Sequence, residues 1–178
     1  MDPVFLLNVE EWEKLAKKPK LKNYILIYKL NTSNLIFDFA RKLSKLTGRK
    51  IVALNFDVVD QMKTPDIKGV YSESVEEFLG YIKYADYVVT NSFHGTAFSI
   101  IFHKEFYVEA LQKDFKPNDR VESLLCLTGL DECKVKTLED CRVNVNRDFN
   151  FADDQIRKQY IKTNQYFERV LNEDGRSF

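Results

Sequence analysis

Residues 86–108 read DYVVTNSFHGTAFSIIFHKEFYV. The stretch opens on a short apolar strand, Asp86–Thr90, and turns through the small and polar residues Asn91–Gly95. An apolar helix, Thr96–Phe102, follows, and then a second strand around Phe106, Tyr107 and Val108. Strand, turn, buried helix and strand is the unit that joins parallel neighbours, because parallel strands cannot be linked by a tight hairpin. An earlier segment, Tyr24–Tyr28, is apolar throughout. Such continuous strands belong to a parallel sheet covered on both faces, whereas a sheet with one wet face alternates.

Outward from these segments the chain keeps alternating. Val9–Lys18 reads as a short helix with Trp12 and Leu15 on one face, closed by Pro19. Asn31, Thr32 and Ser33 offer N-caps for a helix to Leu46, with Gly48 just past its end. A strand Lys50–Asn55 comes next, and the polar segment from Asp57 to Lys68 reads as the longest irregular connection. Ser74 and Glu77 have capping-box spacing at the head of a helix Val75–Tyr84. Asp119 and Glu122 repeat that spacing for a helix to Leu127, with Gly129 beyond it, and a last helix covers Ala152–Leu171. With no repeat, low-complexity tract or linker, the expectation is one α/β domain: a doubly wound, mostly parallel sheet with helices on both faces.

Bulk composition narrows the functional classes. The 178 residues are 44% hydrophobic and 30% charged, a folding rather than a disordered composition. Lysine plus arginine equals aspartate plus glutamate at 27 each, so no summed field draws nucleic acid or an anionic membrane. Cys126, Cys133 and Cys141 are widely and irregularly spaced without a histidine pair, and suggest neither a zinc site nor a disulfide framework. The amino terminus lacks the basic cluster of a signal peptide, and no run approaches the roughly 20 apolar residues of a membrane span. The reading is a cytoplasmic protein of reduced cysteines. No Walker loop, GxGxxG, metal-ligand helix or GxSxG elbow occurs, which disfavours an ATPase, a dehydrogenase or a serine hydrolase and calls for no metal or cofactor.

Ligands of open parallel sheets bind beyond the carboxyl ends of the strands, which points to Asn91, Ser92, Gly95 and Thr96. The unpaired amides of the helix start after this turn favour an anion. His94 stands there, where an imidazole can hold a phosphate or carboxylate or move a proton near neutral pH. A capping histidine, or one packed on Phe93, is the equal alternative. His103 reads as a surface residue at the other helix end. Arg120 lies in the first turn of a helix, where a cation opposes the dipole, so a bound anion or a carboxylate such as Asp119 or Glu122 should favour it.

Residues 86–102, with the core SFHGTAFSIIF, resemble the signature of polysaccharide pyruvyl transferases. The opening Asp2-Pro3-Val4-Phe5-Leu6-Leu7 with Trp12 is similar to that family's DPxFLL…W stretch. Asn118-Asp119-Arg120-Val121 with Leu124, Leu125, Gly129 and Leu130 is similar to its R(I/V)xxLLxxLGL segment. The resemblance implies a Rossmann-like half of a GT-B type transferase, acting on phosphoenolpyruvate and a sugar or glycan acceptor of a surface polysaccharide or its precursor. It implies that His94 contacts the donor as general acid or base, that the Gly95–Thr96 helix start holds its phosphate or carboxylate, and that Arg120 adds positive charge. Where some members carry Arg-Leu before the histidine, Ser92-Phe93 stand here. Members have a further domain ahead of the DPxFLL stretch, so the resemblance implies a carboxyl-terminal half that needs a missing amino-terminal domain, a partner or a homodimer for turnover. Two other functions suit the same elements: a GT-B-like half that binds a nucleotide-sugar, and a non-catalytic remnant that serves as an interaction module.

Overall fold

The computed structural model describes residues 2–31, 33–54, 58–72, 74–109 and 118–173. Its strands are β1 (Tyr24–Tyr28), β2 (Lys50–Leu54), β3 (Lys68–Val70), β4 (Tyr87–Thr90), β5 (Glu105–Glu109) and β6 (Lys134–Val135). Its helices are α1 (Val9–Leu15), α2 (Asn34–Thr47), α3 (Val58–Lys63), α4 (Val75–Lys83), α5 (Phe93–Ile101), α6 (Asn118–Thr128) and α7 (Asn150–Glu173). All five strand pairings are parallel, and the order across the sheet is β3-β2-β1-β4-β5-β6. The doubly wound α/β expectation is therefore met, in the strand order of a Rossmann-like sheet.

The apolar strands bury both of their faces. Ile25, Ile27, Val89 and Tyr107 enter one layer with Ile36, Phe39, Ala40 and Leu43 of α2. Leu26, Val88, Phe106 and Val108 enter the other, with Leu79 and Ile82 of α4, Ala97 and Ile100 of α5 and Leu125 of α6. On that second face α1, α4, α5, α6 and α7 pack as successive neighbours. A strand that serves two dry layers has no polar position to alternate, which is why β1 reads as an unbroken apolar run.

Local sequence sets several boundaries. Ser33 caps α2 by accepting the Leu35 amide, and Gly48 closes it at φ 69°, a left-handed conformation that glycine adopts without a Cβ penalty. Ser74 Oγ accepts the Glu77 amide to open α4, while the Glu77 carboxylate meets Lys17 Nζ at 2.7 Å. Burial pushes the Cys133 thiol up to about 12, and no two of the cysteines are bridged.

Four expectations are corrected, and one strand is added. The first helix ends at Leu15, short of Lys18, because Lys17 leaves it to donate its amide to Glu76 O at 2.8 Å. A Cβ at Gly80 would stand 1.8 Å from Lys17 O, so only glycine admits that crossing, and Leu15 ends up exposed. The polar segment 57–68 contains α3 and leads into the edge strand β3. The edge strand β6 has two residues and no apolar run to announce it. Helix α5 begins at Phe93 rather than Thr96. Helix α6 begins at Asn118, which places Asp119 inside its first turn and not at the cap. Thr32 and residues 55–57 lie outside the described residues, as do the side chains of Asn118 and Asp119.

Candidate functional site

From β1 the chain winds outward to β2 and β3, then returns to wind the other way through β4, β5 and β6. The crevice opens at that reversal, beyond the carboxyl ends of β1 and β4. Tyr28 ends β1 and Thr90 ends β4, and the two are register partners.

The turn after Thr90 is held by its own side chains. Thr90 Oγ1 donates to Tyr28 O at 2.5 Å and accepts the Ser92 amide at 3.0 Å. Ser92 caps α5, its Oγ accepting the Gly95 amide. Thr96 Oγ1 donates to Ser92 O at 2.9 Å and Ser99 Oγ to Gly95 O at 2.7 Å, so the hydroxyls of this buried helix are satisfied by its own carbonyls. Asn91 reaches across the crevice: its Oδ1 accepts the Leu30 amide at 2.8 Å, and its Nδ2 donates to Asn31 O at 2.9 Å. Asn91, Ser92, Gly95 and Thr96 are all buried. The side chains of Thr90, Asn91 and Ser92 shape the loop, and the backbone it presents carries two amides, of Phe93 and His94, without partners among the described residues.

Gly95 serves packing. A Cβ there would meet Thr90 Oγ1 at 2.4 Å and Tyr28 Cδ1 at 3.0 Å, while its backbone is ordinary helix. The absent side chain makes room for Thr90 and Tyr28, where the sequence suggested room for a ligand or a bend.

His94 is exposed at the second position of α5, edge-on to Phe93 at 5.5 Å between ring centroids. On its side lies a cavity of about 440 Å³ whose walls include Tyr28, Ser72, Ser74, Phe78 and Phe98. Burial pushes the Tyr28 phenol above its ordinary value, partly offset by hydrogen bonding with Ser92.

Arg120 stands on the other side of Phe93, its guanidinium carbon 4.0 Å from the ring centroid. Its Nη2 donates to Asp2 Oδ2 at 2.5 Å, so among the described residues the carboxylate that it meets comes from the far end of the chain and not from Glu122. The Arg120 side chain is 57% exposed and lines a second cavity, of about 560 Å³, with Asp2, Pro3, Phe5 and Phe93. His94 and Arg120 thus face adjacent cavities and share a neighbour, Phe93, rather than lining one pocket. The same region ties the sequence signatures together. Trp12 Nε1 donates to Val4 O at 2.9 Å, and its ring meets Phe98 edge-on at 5.0 Å.

The structure adds residues that the motif reading left out. Tyr28, Ser72 and Ser74 are brought to His94 from other strands and loops. Beside the start of α2 stands the protein's own Glu109, Oε1 accepting Ser33 Oγ at 2.7 Å and Oε2 buried without a hydrogen-bond partner among the described residues. A carboxylate is favoured at a helix amino terminus. Of the two helix starts that flank the crevice, α2 therefore has a carboxylate of the protein beside it. A larger cavity, of about 620 Å³, lies at the amino ends of β4 and β5 with its charges paired, Arg49 to Asp86 at 2.8 Å and Arg147 to Glu105. His103 lines it too, stacked on Phe149 and 2.9 Å from Asp153 Oδ1. Among the described residues no group of histidine, cysteine, aspartate or glutamate could hold a metal ion, and no helix is long and apolar enough to cross a membrane.

Fold and crevice define a Rossmann-like α/β unit of the GT-B-like kind. It is similar to the UDP-GlcNAc 2-epimerase of Methanocaldococcus jannaschii, solved with UDP-GlcNAc and UDP, at TM-score 0.51 and 14% identity. It is also similar to an O-GlcNAc transferase variant from Thermobaculum terrenum, at TM-score 0.52 and 11% identity. The matches cover 87% and 83% of this chain but only 48% and 33% of those chains. At such identity they speak for the fold alone. The sequence model of the polysaccharide pyruvyl transferases matches residues 1–112, more than half of the 178, and the chain belongs to that family. No curated protein sequence matches it.

Proposed function

We infer that this chain is the donor-binding part of an enzyme that transfers the pyruvyl group of phosphoenolpyruvate, as a ketal, to two hydroxyls of a sugar in a surface polysaccharide or its precursor. The observation that carries this reading is an exposed imidazole beside two amides without partners among the described residues at the α5 start, in the crevice of a chain of this family. In the reaction the methylene carbon of the donor takes a proton and becomes a methyl group. One sugar hydroxyl bonds to the adjacent carbon, and the second displaces phosphate from it. Two hydroxyl protons are released, one equivalent to the new methyl group and one to the departing phosphate. His94 carries one of these transfers, the amides of Phe93 and His94 hold a donor carboxylate or phosphate, and Arg120 supplies charge once it turns from Asp2.

The test is a calorimetric titration of this chain with phosphoenolpyruvate, beside a UDP-sugar, a CMP-sugar and inorganic phosphate. Selective binding of phosphoenolpyruvate is expected, lost in His94→Ala and weakened in Arg120→Ala, with unfolding of His94→Ala unchanged because the side chain is exposed. Binding of the UDP-sugar in its place would move the function to a nucleotide-sugar enzyme.

A further inference from the structure

The two cavities that flank Phe93 differ in chemistry. The Arg120 cavity carries a guanidinium and a carboxylate. The cavity beside His94 has no lysine, arginine, aspartate or glutamate in its wall among the described residues. Besides His94 and Val75 its walls are the hydroxyl-bearing Tyr28, Ser72 and Ser74 and the aromatic Phe78 and Phe98. The rings form a continuous floor, Tyr28 edge-on to Phe78 at 5.0 Å and Phe78 edge-on to Phe98 at 5.9 Å. Aromatic faces with a few convergent hydroxyls suit an uncharged polyhydroxylated ring, which offers C–H faces to the floor and O–H groups to the rim. Among the described residues a phosphate or carboxylate would find no lysine or arginine there, and leaving water for such a wall costs an anion far more than it costs a sugar. The volume, about 440 Å³, lies within the usual range for small-molecule sites.

We propose that this cavity is a neutral-sugar subsite, separate from the anion-binding start of α5, and that Tyr28 is its specificity-determining hydrogen-bonding residue. Tyr28 closes β1 at the crevice and faces the same space as His94, so a sugar seated on the Phe78–Phe98 floor has its hydroxyls between the phenol and the imidazole. Its phenol is held protonated by burial and keeps a proton to donate. The assignment of this sugar as the acceptor rests on the pyruvyl-transfer reading, whereas the preference of the cavity for a neutral sugar does not.

The experiment is a protein-observed NMR titration of this chain with neutral methyl glycosides and, separately, with inorganic phosphate, for the wild type and Tyr28→Phe. The glycoside should shift resonances of Tyr28, Ser72, Phe78 and Phe98 and leave Arg120 unmoved, and phosphate should shift the amides of Phe93 and His94. Tyr28→Phe keeps the ring on Phe78 and removes one hydroxyl, so glycoside affinity should fall about fivefold, the worth of one hydrogen bond, with the phosphate titration unchanged. A glycoside response absent, located elsewhere, or equal in Tyr28→Phe would overturn the proposal. Loss of folding in Tyr28→Phe would be visible in the spectrum itself. In that event Phe78→Leu, which thins the floor and leaves every hydroxyl in place, must weaken the glycoside and spare phosphate, and no selective loss would again overturn it. A glycoside that binds as described beside a phosphate that does not bind would keep the sugar subsite and discard the anion site of the pyruvyl-transfer reading.

Discussion

Gly95→Ala separates a packing role for this glycine from a ligand-facing one, because the two predict opposite signs. Helix propensity alone favours alanine by up to about 1 kcal/mol, so a glycine kept open only for ligand access should be replaceable with a gain in stability. The structure sets against this a Cβ 2.4 Å from Thr90 Oγ1 and 3.0 Å from the Tyr28 ring. Thr90 has no exposed surface, and its Oγ1 holds both Tyr28 O and the Ser92 amide, so it cannot turn aside without losing bonds worth about 1 kcal/mol each. Overpacking a tight interior costs about 1–3 kcal/mol more. The expected net destabilisation is about 2–4 kcal/mol, which lowers the melting temperature of a chain of this length by on the order of 10 °C. Thermal unfolding followed by circular dichroism reads it directly. A variant that melts at or above the wild type would refute the packing argument.

Asn91→Ala strips both partners from the loop after β1, the Leu30 amide and the Asn31 carbonyl, and should cost about 1–3 kcal/mol with faster hydrogen exchange at Leu30. Unchanged protection there would mean that the bridge is dispensable. The Arg41 guanidinium holds the Asp66 carboxyl below the usual carboxylate range, chiefly by hydrogen bonding. A depressed folded pKa contributes stability that is present above the unfolded value and lost as pH falls through the folded one. For an exposed pair this is at most about 1 kcal/mol, so Asp66→Asn should lower the neutral plateau of a melting-temperature profile by that much, leave the acid end unchanged and so flatten the acid limb. An acid limb as steep as that of the wild type would remove the pair from the stability balance.

The main layers of the fold were legible because their signals are local. The apolar run Tyr24–Tyr28, the Ser33 cap, Gly48 past α2 and the serine at the head of α4 each act through near neighbours in the chain, and each stands where its residues place it. The edge strands β3 and β6 were not legible. Lys68–Val70 and Lys134–Val135 are too short and too polar to announce themselves, and they become strands only because β2 and β5 offer free edges. The end of α1 was equally hidden, since it depends on Glu76 of another helix.

The site divides along the same line. Sequence alone located the junction between β4 and α5 and its histidine, and carried the family resemblance that the match over residues 1–112 bears out, because a strand end and a helix start are written in consecutive residues. Only the tertiary structure decided what surrounds them. It brought Asp2 to Arg120 across 118 positions and set Phe93 between the arginine and the histidine. It also lined the His94 cavity with Tyr28, Ser72 and Ser74, and stood Glu109 beside the start of α2. Contacts between residues so far apart follow from the winding of the sheet, and no local spacing encodes them.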